Sequence, residues 1–404
     1  MNARRRHEIV WKILQFTLTP YIKWKFNYQF DKVKPLEYPT IILPNHLTNW
    51  DPLLVGTAFS KMMYYVASDH LFRLGWISKI IEYLVDPIPR MKSTRDRKTV
   101  VAMLRRLREG NNICIFPEGN MSFSGETGQL HETTAKLVKY TGAALITYRM
   151  EGGYLTQPRW SKYPRRGVMT GRVVNIYTPE EIKTLSEEEL MKRIERDLYT
   201  NAYEEQERLK SPIAFHGKKL AESLETALYL CPSCNQIGTL VSKDNIFCCP
   251  CGLQLRFTPY GYFESLTRDK PPFTRILDWF RWQHKRTREL AEQYRNKKED
   301  YPITSDENQT LWRIQKARNN SLLSKGTLKL FRNRLCFQGS NGYVFNFPFN
   351  QISDLAIHGS RTIIFSTTDQ EYYELKSKAP RSGLKYYELF KALTDKPSIY
   401  ERKG

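Results

Sequence analysis

The sequence predicts an α/β fold in which a mainly parallel mixed sheet is flanked by helices. Three observations indicate this fold: the chain has 404 residues, hydrophobic residues make up 41% of it, and strand-like and helix-like segments alternate between positions 40 and 209. A chain of this length can form a full α/β core and one or two smaller modules. The alternation of short apolar runs with amphipathic segments is typical of helices layered around a mainly parallel sheet.

The predicted elements of this core follow one another in a regular order. Short apolar or β-branched runs predict strands, and apolar residues at helical spacing predict the helices between them. Gly110 ends a predicted helix that runs through Arg108, and Gly142 ends the predicted helix Glu132–Tyr140; glycine suits the carboxyl end of a helix. The predicted strands are Thr40–Pro44, Met62–Ala67, Asn112–Phe116, Ala143–Met150 and Gly167–Tyr177, and the predicted helices include Glu132–Tyr140 and Ser186–Leu209.

Residues 1–34 form a basic segment before this core. They contain eight lysines and arginines against two acidic residues, interleaved with apolar and aromatic side chains from Ile9 to Phe26. The spacing predicts an amphipathic helix that is broken or bent at Pro20. Aromatic rings beside lysines suit an anionic membrane surface, and the alternative is a helix packed on the protein core. We expect this segment to associate with a membrane.

The sequence predicts that the protein is cytoplasmic and binds peripherally to the inner face of the membrane. No apolar run is long enough for a transmembrane helix, and the amino terminus lacks the features of a secretory signal. Seven cysteines, five of them between Cys231 and Cys251, indicate a metal site more than a disulfide framework.

The net charge limits the kinds of partner. Lysines and arginines number 63 and aspartates and glutamates 42, which gives a formal charge of +21. A charge this positive favours nucleic acid, phospholipid headgroups or phosphorylated substrates. Charge alone does not choose between these partners.

A histidine and an aspartate directly follow the first predicted strand, in the segment Asn45–Asp51. A carboxylate that accepts a hydrogen bond from one imidazole nitrogen fixes the tautomer, so that the other nitrogen can take a proton. His46 and Asp51 would form such a pair, with a substrate hydroxyl in the place of the serine of a protease triad. Taken alone, a pair at this spacing is more often structural.

A second motif, Phe116-Pro117-Glu118-Gly119, also follows a predicted buried strand. Together, the Asn-His-x-x-x-x-Asp block and this block resemble the glycerolipid acyltransferases, a family that carries both blocks in this order. The resemblance covers about residues 40–180, inside a predicted acyltransferase domain at residues 35–215.

The resemblance implies a role for each matching residue. His46 would deprotonate the acceptor hydroxyl for attack on the acyl thioester, and Asp51 would orient His46. Glu118 and Gly119 would help to hold the acceptor's phosphate, and Asn45 is assigned with them to substrate binding. Because a carboxylate does not itself attract a phosphate, we expect Glu118 to position arginines or backbone donors.

Two further arginines are expected at the phosphate. Arg90, with Gly75 before it, is the nearest match to a third family block, and its guanidinium suits bidentate phosphate binding. The family continues Phe-Pro-Glu-Gly with Thr-Arg-Ser, whereas this chain continues with Asn120-Met121-Ser122. Arg149, in a fourth block that lacks the family's proline, would supply the missing positive charge. These departures concern the identity of the acceptor and leave the reaction type intact.

Two Cys-x-x-Cys pairs predict a structural zinc site. Cys231, Cys234, Cys248 and Cys251 would supply four thiolates in a closed tetrahedral site, with Cys249 as a bystander. The spacing resembles a zinc ribbon at residues 228–258. A redox pair or an iron–sulfur site is the alternative, and we expect no redox cofactor.

The carboxyl-terminal third changes character again. Residues 270–318 read as a charged helical connector, and residues 319–398 alternate strands with turns before a last amphipathic helix. This pattern resembles a pleckstrin-homology-like (PH-like) or GRAM-like domain, and the resemblance rests on pattern without diagnostic residues.

The resemblance implies an acyl transfer from acyl-carrier protein or coenzyme A to lysophosphatidic acid, which gives phosphatidic acid in phospholipid biosynthesis. Glycerol-3-phosphate or another lysolipid is the alternative acceptor. An alternative of another class is a basic zinc-ribbon protein that binds nucleic acid or lipid without catalysis. The intact His46 and Asp51 favour the enzyme, and no nucleic acid is expected as a partner.

Overall fold

The computed structural model describes residues 2–73, 75–90, 97–267, 270–297, 300–314 and 320–400. The chain divides into two compact units. Of the described residues, the first unit contains 2–159 and 164–217, and the second contains 160–163 and 218–400. Helices and sheets occur in both units, which confirms the mixed α/β prediction.

A seven-stranded sheet forms the centre of the first unit, in the order β1-β7-β6-β2-β5-β3-β4. Only the pair β6 and β7 is antiparallel, so the sheet is mainly parallel, as predicted. Residues Ile41 to Leu43 of the central strand are buried on both faces, as a parallel strand between layers of helices requires. The strands are β1 (Tyr28–Phe30), β2 (Thr40–Pro44), β3 (Met63–Ser68), β4 (Ile88–Arg90), β5 (Asn112–Cys114), β6 (Ala144–Glu151) and β7 (Met169–Tyr177).

The helices of the first unit surround this sheet. They are α1 (Ala3–Phe26), α2 (Asp51–Ala58), α3 (Trp76–Val85), α4 (Arg97–Arg108), α5 (Thr134–Thr141), α6 (Gly153–Thr156), α7 (Pro179–Thr184), α8 (Glu187–Leu198) and α9 (Ala202–Glu207). No helix among the described ranges combines the length and the apolar character that crossing a membrane requires.

Helix α1 is continuous through Pro20, so a break at this residue is wrong. The helix is held on both sides of the proline. The Gln15 side chain donates to backbone carbonyls of Gly56 and Phe59, and Ile22 and Phe26 are fully buried. These tertiary contacts offset the hydrogen bond that proline cannot donate.

The predicted single helix Ser186–Leu209 is two helices, α8 and α9. The chain leaves helical geometry at Tyr199, and the side chain of Asn201 then accepts from the backbone N–H groups of Tyr203 and Glu204. Asparagine is a strong amino-terminal cap, so Asn201 starts a new helix.

The second unit contains two antiparallel sheets. Strands β8 (Val241–Lys243), β9 (Ile246–Cys248), β10 (Gln254–Phe257) and β11 (Phe263–Ser265) form the small sheet in the order β11-β10-β9-β8. Helix α10 (Ile276–Arg295) follows it. The larger sheet has the order β15-β14-β13-β12-β18-β17-β16, and helix α11 (Gly383–Leu393) ends the unit. Its strands are β12 (Thr304–Ile314), β13 (Asn320–Leu330), β14 (Arg334–Gly339), β15 (Val344–Pro348), β16 (Ile352–His358), β17 (Thr362–Thr367) and β18 (Tyr372–Ser377).

Strand β12 corrects the predicted connector at residues 270–318. It lies inside that range and pairs with both β13 and β18, so it is a central strand of the larger sheet. Its sequence is mostly polar, and a register shift between Asp306 and Gln309, with Asn308 at φ 57°, interrupts the alternation of inward and outward side chains. The period of two that predicts a strand is therefore weak here.

Candidate active site

His46, in the loop between β2 and α2, is hydrogen-bonded to Asp51, the first residue of α2. Nδ1 of His46 is 2.8 Å from Oδ2 of Asp51. The same carboxylate accepts from the backbone N–H groups of Leu47 at 2.6 Å and Thr48 at 2.9 Å, and its Oδ1 accepts from the Thr48 hydroxyl at 2.7 Å. Asp51 is fully buried as the first residue of α2. These donors hold the carboxylate in one orientation.

The imidazole of His46 is fixed on its second side by an aromatic contact. Its ring centroid is 4.4 Å from that of Phe116, at an interplanar angle of 32°. The side chain keeps 20% of its surface exposed, so a substrate can reach it. Because an ionised carboxylate only accepts, Nδ1 carries the proton, and the lone pair of a neutral ring then resides on Nε2. The arrangement is that of a general base with its orienting partner.

Glu118 holds the backbone of His46 in place. Its Oε1 accepts from the backbone N–H of His46 at 2.7 Å, and its Oε2 accepts from that of Gly128 at 3.0 Å. The side chain is buried, and desolvation raises the pKa of its carboxyl to about 8, while the two backbone hydrogen bonds act in the opposite direction. Glu118 thus contacts backbone donors, which are one of the two kinds of group expected beside it.

Gly119 and Arg90 meet at the turn after Glu118. Gly119 has φ 64°, and a Cβ built on it would lie 3.1 Å from Nε2 of His131 and 4.0 Å from Nη1 of Arg90. Strands β2, β5, β3 and β4 run parallel, so the loops that follow them lie at one edge of the sheet. Arg90 is the last residue of β4, and it comes to the same edge as the loop of His46.

Asn45 and Arg149, both expected to bind substrate, have side chains that contact the protein backbone. Asn45 is fully buried, where its amide exchanges hydrogen bonds with the backbone of Met150, at 2.9 Å to the carbonyl and 2.8 Å from the N–H. It joins the end of β2 to β6. The guanidinium of Arg149 donates to the carbonyls of Asp197 at 2.8 Å and Arg196 at 3.1 Å, at the carboxyl end of α8. The last carbonyls of a helix attract cations, which accounts for this position.

Arg159 and His131 lie at the turn of Gly119 and its following segment, and neither was predicted from the sequence motifs. Nη1 of Arg159 donates to the carbonyl of Met121 at 3.0 Å, and the guanidinium lies 4.2 Å from the ring centroid of Phe123. Arg159 thus places a positive charge on the segment where the family carries Thr-Arg-Ser. The signal for it was the basic stretch from Glu151 to Arg166. Nothing in the local sequence pointed to His131.

Four cysteines of the second unit form a group that can hold a metal ion. The sulfur atoms of Cys231, Cys234, Cys249 and Cys251 lie within 4.8 Å of one another. Cys248, predicted as a ligand, is not among them, and Cys249, predicted as a bystander, is. Cys248 ends β9 and pairs with strands on both sides. Successive side chains of an extended chain point in opposite directions, so only one of the two neighbouring cysteines can face the group.

Comparison with known proteins finds similarities in the first unit. Residues 25–151 match the model of the Acyltransferase family. A 1-acyl-sn-glycerol-3-phosphate acyltransferase from Borreliella burgdorferi is 26% identical over 113 residues, which are 28% of this chain and 45% of that protein. The chain thus matches less than half the length of that relative.

Two solved structures are similar to parts of the chain. One is the 1-acyl-sn-glycerophosphate (LPA) acyltransferase PlsC from Thermotoga maritima, with 19% identity and a TM-score of 0.43 over 52% of this chain and 86% of that chain. The other is the C-terminal domain of an unknown protein from Leishmania infantum, with 15% identity and a TM-score of 0.15 over 19% of this chain and 71% of that chain. TM-scores this low do not establish a shared fold.

The matched region contains both sequence blocks, from Asn45 to Asp51 and from Phe116 to Gly119. The chain is therefore similar to the acyltransferase family through the domain matched at residues 25–151.

Proposed function

We propose that this protein is a 1-acylglycerol-3-phosphate O-acyltransferase, which transfers a fatty acyl group from a thioester donor to lysophosphatidic acid and forms phosphatidic acid. The observation that carries the proposal is the hydrogen bond of 2.8 Å between Nδ1 of His46 and Oδ2 of the buried Asp51. The relative from Borreliella burgdorferi, by its name, acts on the same class of acceptor.

The proposed reaction uses His46 as a general base. Nε2 takes the proton from the acceptor hydroxyl as its oxygen attacks the thioester carbonyl. The tetrahedral intermediate collapses, the carbon–sulfur bond breaks, and the proton passes from Nε2 to the leaving thiolate. The products are the new ester and the free thiol of acyl-carrier protein or coenzyme A. Asp51 keeps Nδ1 protonated and stabilises the imidazolium that forms in between.

We propose that the acceptor's phosphate binds at the turn of Gly119. The guanidinium of Arg90 and that of Arg159 lie against this turn and the segment after it. Arginine suits a phosphate because its planar group donates two parallel hydrogen bonds. Glu118, directly before Gly119, is hydrogen-bonded to the backbone of His46, so a phosphate bound at the turn and the base can serve the same acceptor molecule.

We also propose that the first unit works on an anionic membrane surface, at the inner face of the membrane. Helix α1 exposes Ile13, Phe16 and Trp24, and it contains six basic residues against one acidic residue. Helix α3 exposes Trp76 and, with it, Ile77, Ile80 and Tyr83. Arg6 joins the two helices, since its Nε donates to the Tyr83 carbonyl at 3.0 Å. Apolar side chains beside cations suit the headgroup region of a bilayer.

The four-cysteine group supports a structural zinc ion in a zinc ribbon. Sulfur atoms this close to one another suit one tetrahedral ion, and four thiolates leave zinc no open position for a substrate. Zinc there would stabilise the fold and take no part in acyl transfer. The seven antiparallel strands and α11 likewise support a PH-like or GRAM-like domain at residues 319–398, extended by β12.

An acceptor panel tests the proposed activity. The purified full chain is incubated with an acyl donor, either acyl-carrier protein or coenzyme A that bears a labelled acyl group. The acceptor is lysophosphatidic acid, glycerol-3-phosphate or another lysolipid. We expect phosphatidic acid from lysophosphatidic acid, and a rate lower by about 10²–10⁴-fold with His46→Ala. Equal rates for the wild type and His46→Ala would remove His46 from the reaction. If only glycerol-3-phosphate gave product, the proposed acceptor would be wrong, and the proposed role of His46 as the base would stand.

A further inference from the structure

His131 is held against the active-site turn by its backbone. Its N–H donates to the carbonyl of Pro117 at 3.0 Å, in the block that contains Glu118. Its carbonyl accepts from the N–H of Thr134 at 2.9 Å and from the Thr134 hydroxyl at 2.6 Å, at the start of α5. Hydrogen bonds to Pro117, in the active-site turn, and to Thr134 therefore fix the backbone that carries the imidazole.

The imidazole of His131 accepts a hydrogen bond from Arg90. Nε2 of His131 is 2.8 Å from Nη2 of Arg90. A guanidinium has donors and no acceptor, so Nε2 must be the unprotonated nitrogen, and the ring is neutral with its proton on Nδ1. Desolvation of the ring, and then the charge of Arg90, lower the pKa of His131 to about 4, which agrees with this tautomer.

This pair lies directly over Gly119. A Cβ at that glycine would stand 3.1 Å from Nε2 of His131 and 4.0 Å from Nη1 of Arg90. The preceding residue, Glu118, holds the backbone of His46 at 2.7 Å. The guanidinium of Arg90 and the base His46 are thus linked through one rigid turn, and His131 fixes one edge of the guanidinium.

We propose that His131 is a positioning residue of the acceptor site, which orients the guanidinium of Arg90 toward the phosphate of the acceptor. The inference rests on the proposed function and deepens it, because it names the group that sets the direction of the phosphate-binding cation. A guanidinium held by a hydrogen bond at one N–H has a restricted direction, which favours an acceptor with a phosphate beside its hydroxyl.

Two variants separate this role from a general effect on the fold. In His131→Gln, the amide oxygen reaches to about the place of Nε2 and can still accept from Arg90. In His131→Leu, the shape is similar and the acceptor is lost. We expect His131→Leu to raise the KM for lysophosphatidic acid by about tenfold, with kcat and the KM for the acyl donor changed little, and His131→Gln to restore most of the affinity.

Two controls make the result specific. Monoacylglycerol offers the same kind of hydroxyl without a phosphate, so its KM should be the same in the wild type and in His131→Leu. In an Arg90→Ala background, His131→Leu should add nothing, because the residue acts through Arg90. Equal acceptor KM values in the wild type and His131→Leu, or an equal loss of kcat with both acceptors, would overturn the inference.

Direct binding keeps this test separate from that of the proposed function. Lysophosphatidic acid binding to the full chain is measured by equilibrium dialysis, below the concentration at which the lipid forms micelles. If the wild type binds this lipid and transfers no acyl group, the proposed function fails, and a comparison of its affinity with that of His131→Leu still decides the role of His131. If the wild type does not bind it, the role of His131 fails as well.

Discussion

Oε1 of Glu118 accepts a hydrogen bond from the backbone N–H of His46 at 2.7 Å. Through Oε2 and the N–H of Gly128 at 3.0 Å, the same buried carboxyl also holds the loop that follows its own turn. The two blocks that the sequence places far apart are therefore joined by one side chain. Glu118 fixes the backbone from which the base projects.

Glu118→Ala should lower kcat/KM by about 10- to 100-fold, because the N–H of His46 loses its buried acceptor and the imidazole can move from its position. Steady-state kinetics with lysophosphatidic acid measure this change. Glu188→Ala, which truncates an exposed glutamate of α8, is the matched control and should leave kcat/KM unchanged. Wild-type kinetics in a folded Glu118→Ala protein would refute the supporting role.

Asp51→Asn should lower kcat by about 10²–10⁴-fold, since an amide can turn its NH₂ group toward Nδ1 and so favour the wrong tautomer of His46. The free energy of unfolding should also fall by about 1–3 kcal/mol, because the carboxylate accepts from Leu47 and Thr48 as well. Single-turnover rates and denaturant unfolding measure the two effects.

Asp197→Asn controls for the loss of a buried carboxylate in the same unit. Asp197 is as buried as Asp51 and accepts from the hydroxyls of Tyr177 at 2.7 Å and Thr147 at 3.0 Å, away from His46. It should lower stability and leave the single-turnover rate nearly unchanged. If both variants lost activity in proportion to stability, Asp51 would be structural only.

Gly119→Ala should raise the KM for lysophosphatidic acid, because its methyl group would stand 3.1 Å from Nε2 of His131 and displace the pair with Arg90. Gly142→Ala is the matched control: Gly142 also has φ 64°, and nothing lies within 4 Å of its Cβ position. Both substitutions should cost about 1–2 kcal/mol of backbone strain, measured by denaturant unfolding. Only Gly119→Ala should alter the acceptor KM. An equal change of this KM in Gly119→Ala and Gly142→Ala would show that the contact with His131 is not the cause.

Much of the fold follows from local sequence signals. The strand Thr40–Pro44 has its predicted bounds, because a compact apolar run before a turn leaves few alternatives. Strand β12 was missed because its polar residues and register shift hide the alternation. The break at Pro20 was wrong because contacts made by Gln15 and Ile22, which local sequence does not encode, keep the helix continuous through the proline.

The site was predictable only where two motifs mark strand ends. His46 and Asp51 are five positions apart in sequence, so their spacing suggests the contact. The contacts of His131 with Arg90 and of Arg159 with Met121 join residues far apart in sequence, and no local pattern encodes them. The contact of Arg149 with the carboxyl end of α8 is likewise not encoded in the local sequence.

Cys249→Ser should reduce the zinc content of the purified protein, whereas Cys248→Ser should retain one zinc ion per chain. The reason is that the sulfur of Cys249 lies 3.7 Å from that of Cys234, inside the four-cysteine group, while Cys248 is not a member of it. Elemental analysis after gel filtration measures the metal, and thermal unfolding should show a lower midpoint only for Cys249→Ser. The reverse pattern would restore Cys248 as the ligand.

Removing zinc should destabilise the second unit and leave the chemistry of the first unit unchanged. A chelator such as a phenanthroline should lower the midpoint of thermal unfolding, because thiolates without a metal no longer hold the two cysteine pairs together. The acyl-transfer rate below that midpoint should stay close to that of the untreated protein. An immediate loss of rate in folded protein, restored by zinc, would assign the metal a part in the reaction.

Trp76→Glu combined with Ile80→Glu should weaken binding to anionic vesicles by about tenfold or more, because charged groups would replace apolar surface on the exposed face of α3. Co-sedimentation with vesicles of phosphatidylglycerol and phosphatidylcholine measures the affinity. Tyr140→Glu changes an aromatic residue of α5 that is 71% exposed, nearly as much as Trp76 at 72%, and should bind like the wild type. Because the basic residues of α1 contribute a salt-dependent attraction, binding of the α3 variant should fall further as salt is raised. Wild-type binding of the α3 variant, or an equal loss with Tyr140→Glu, would exclude the exposed face of α3 from the membrane surface.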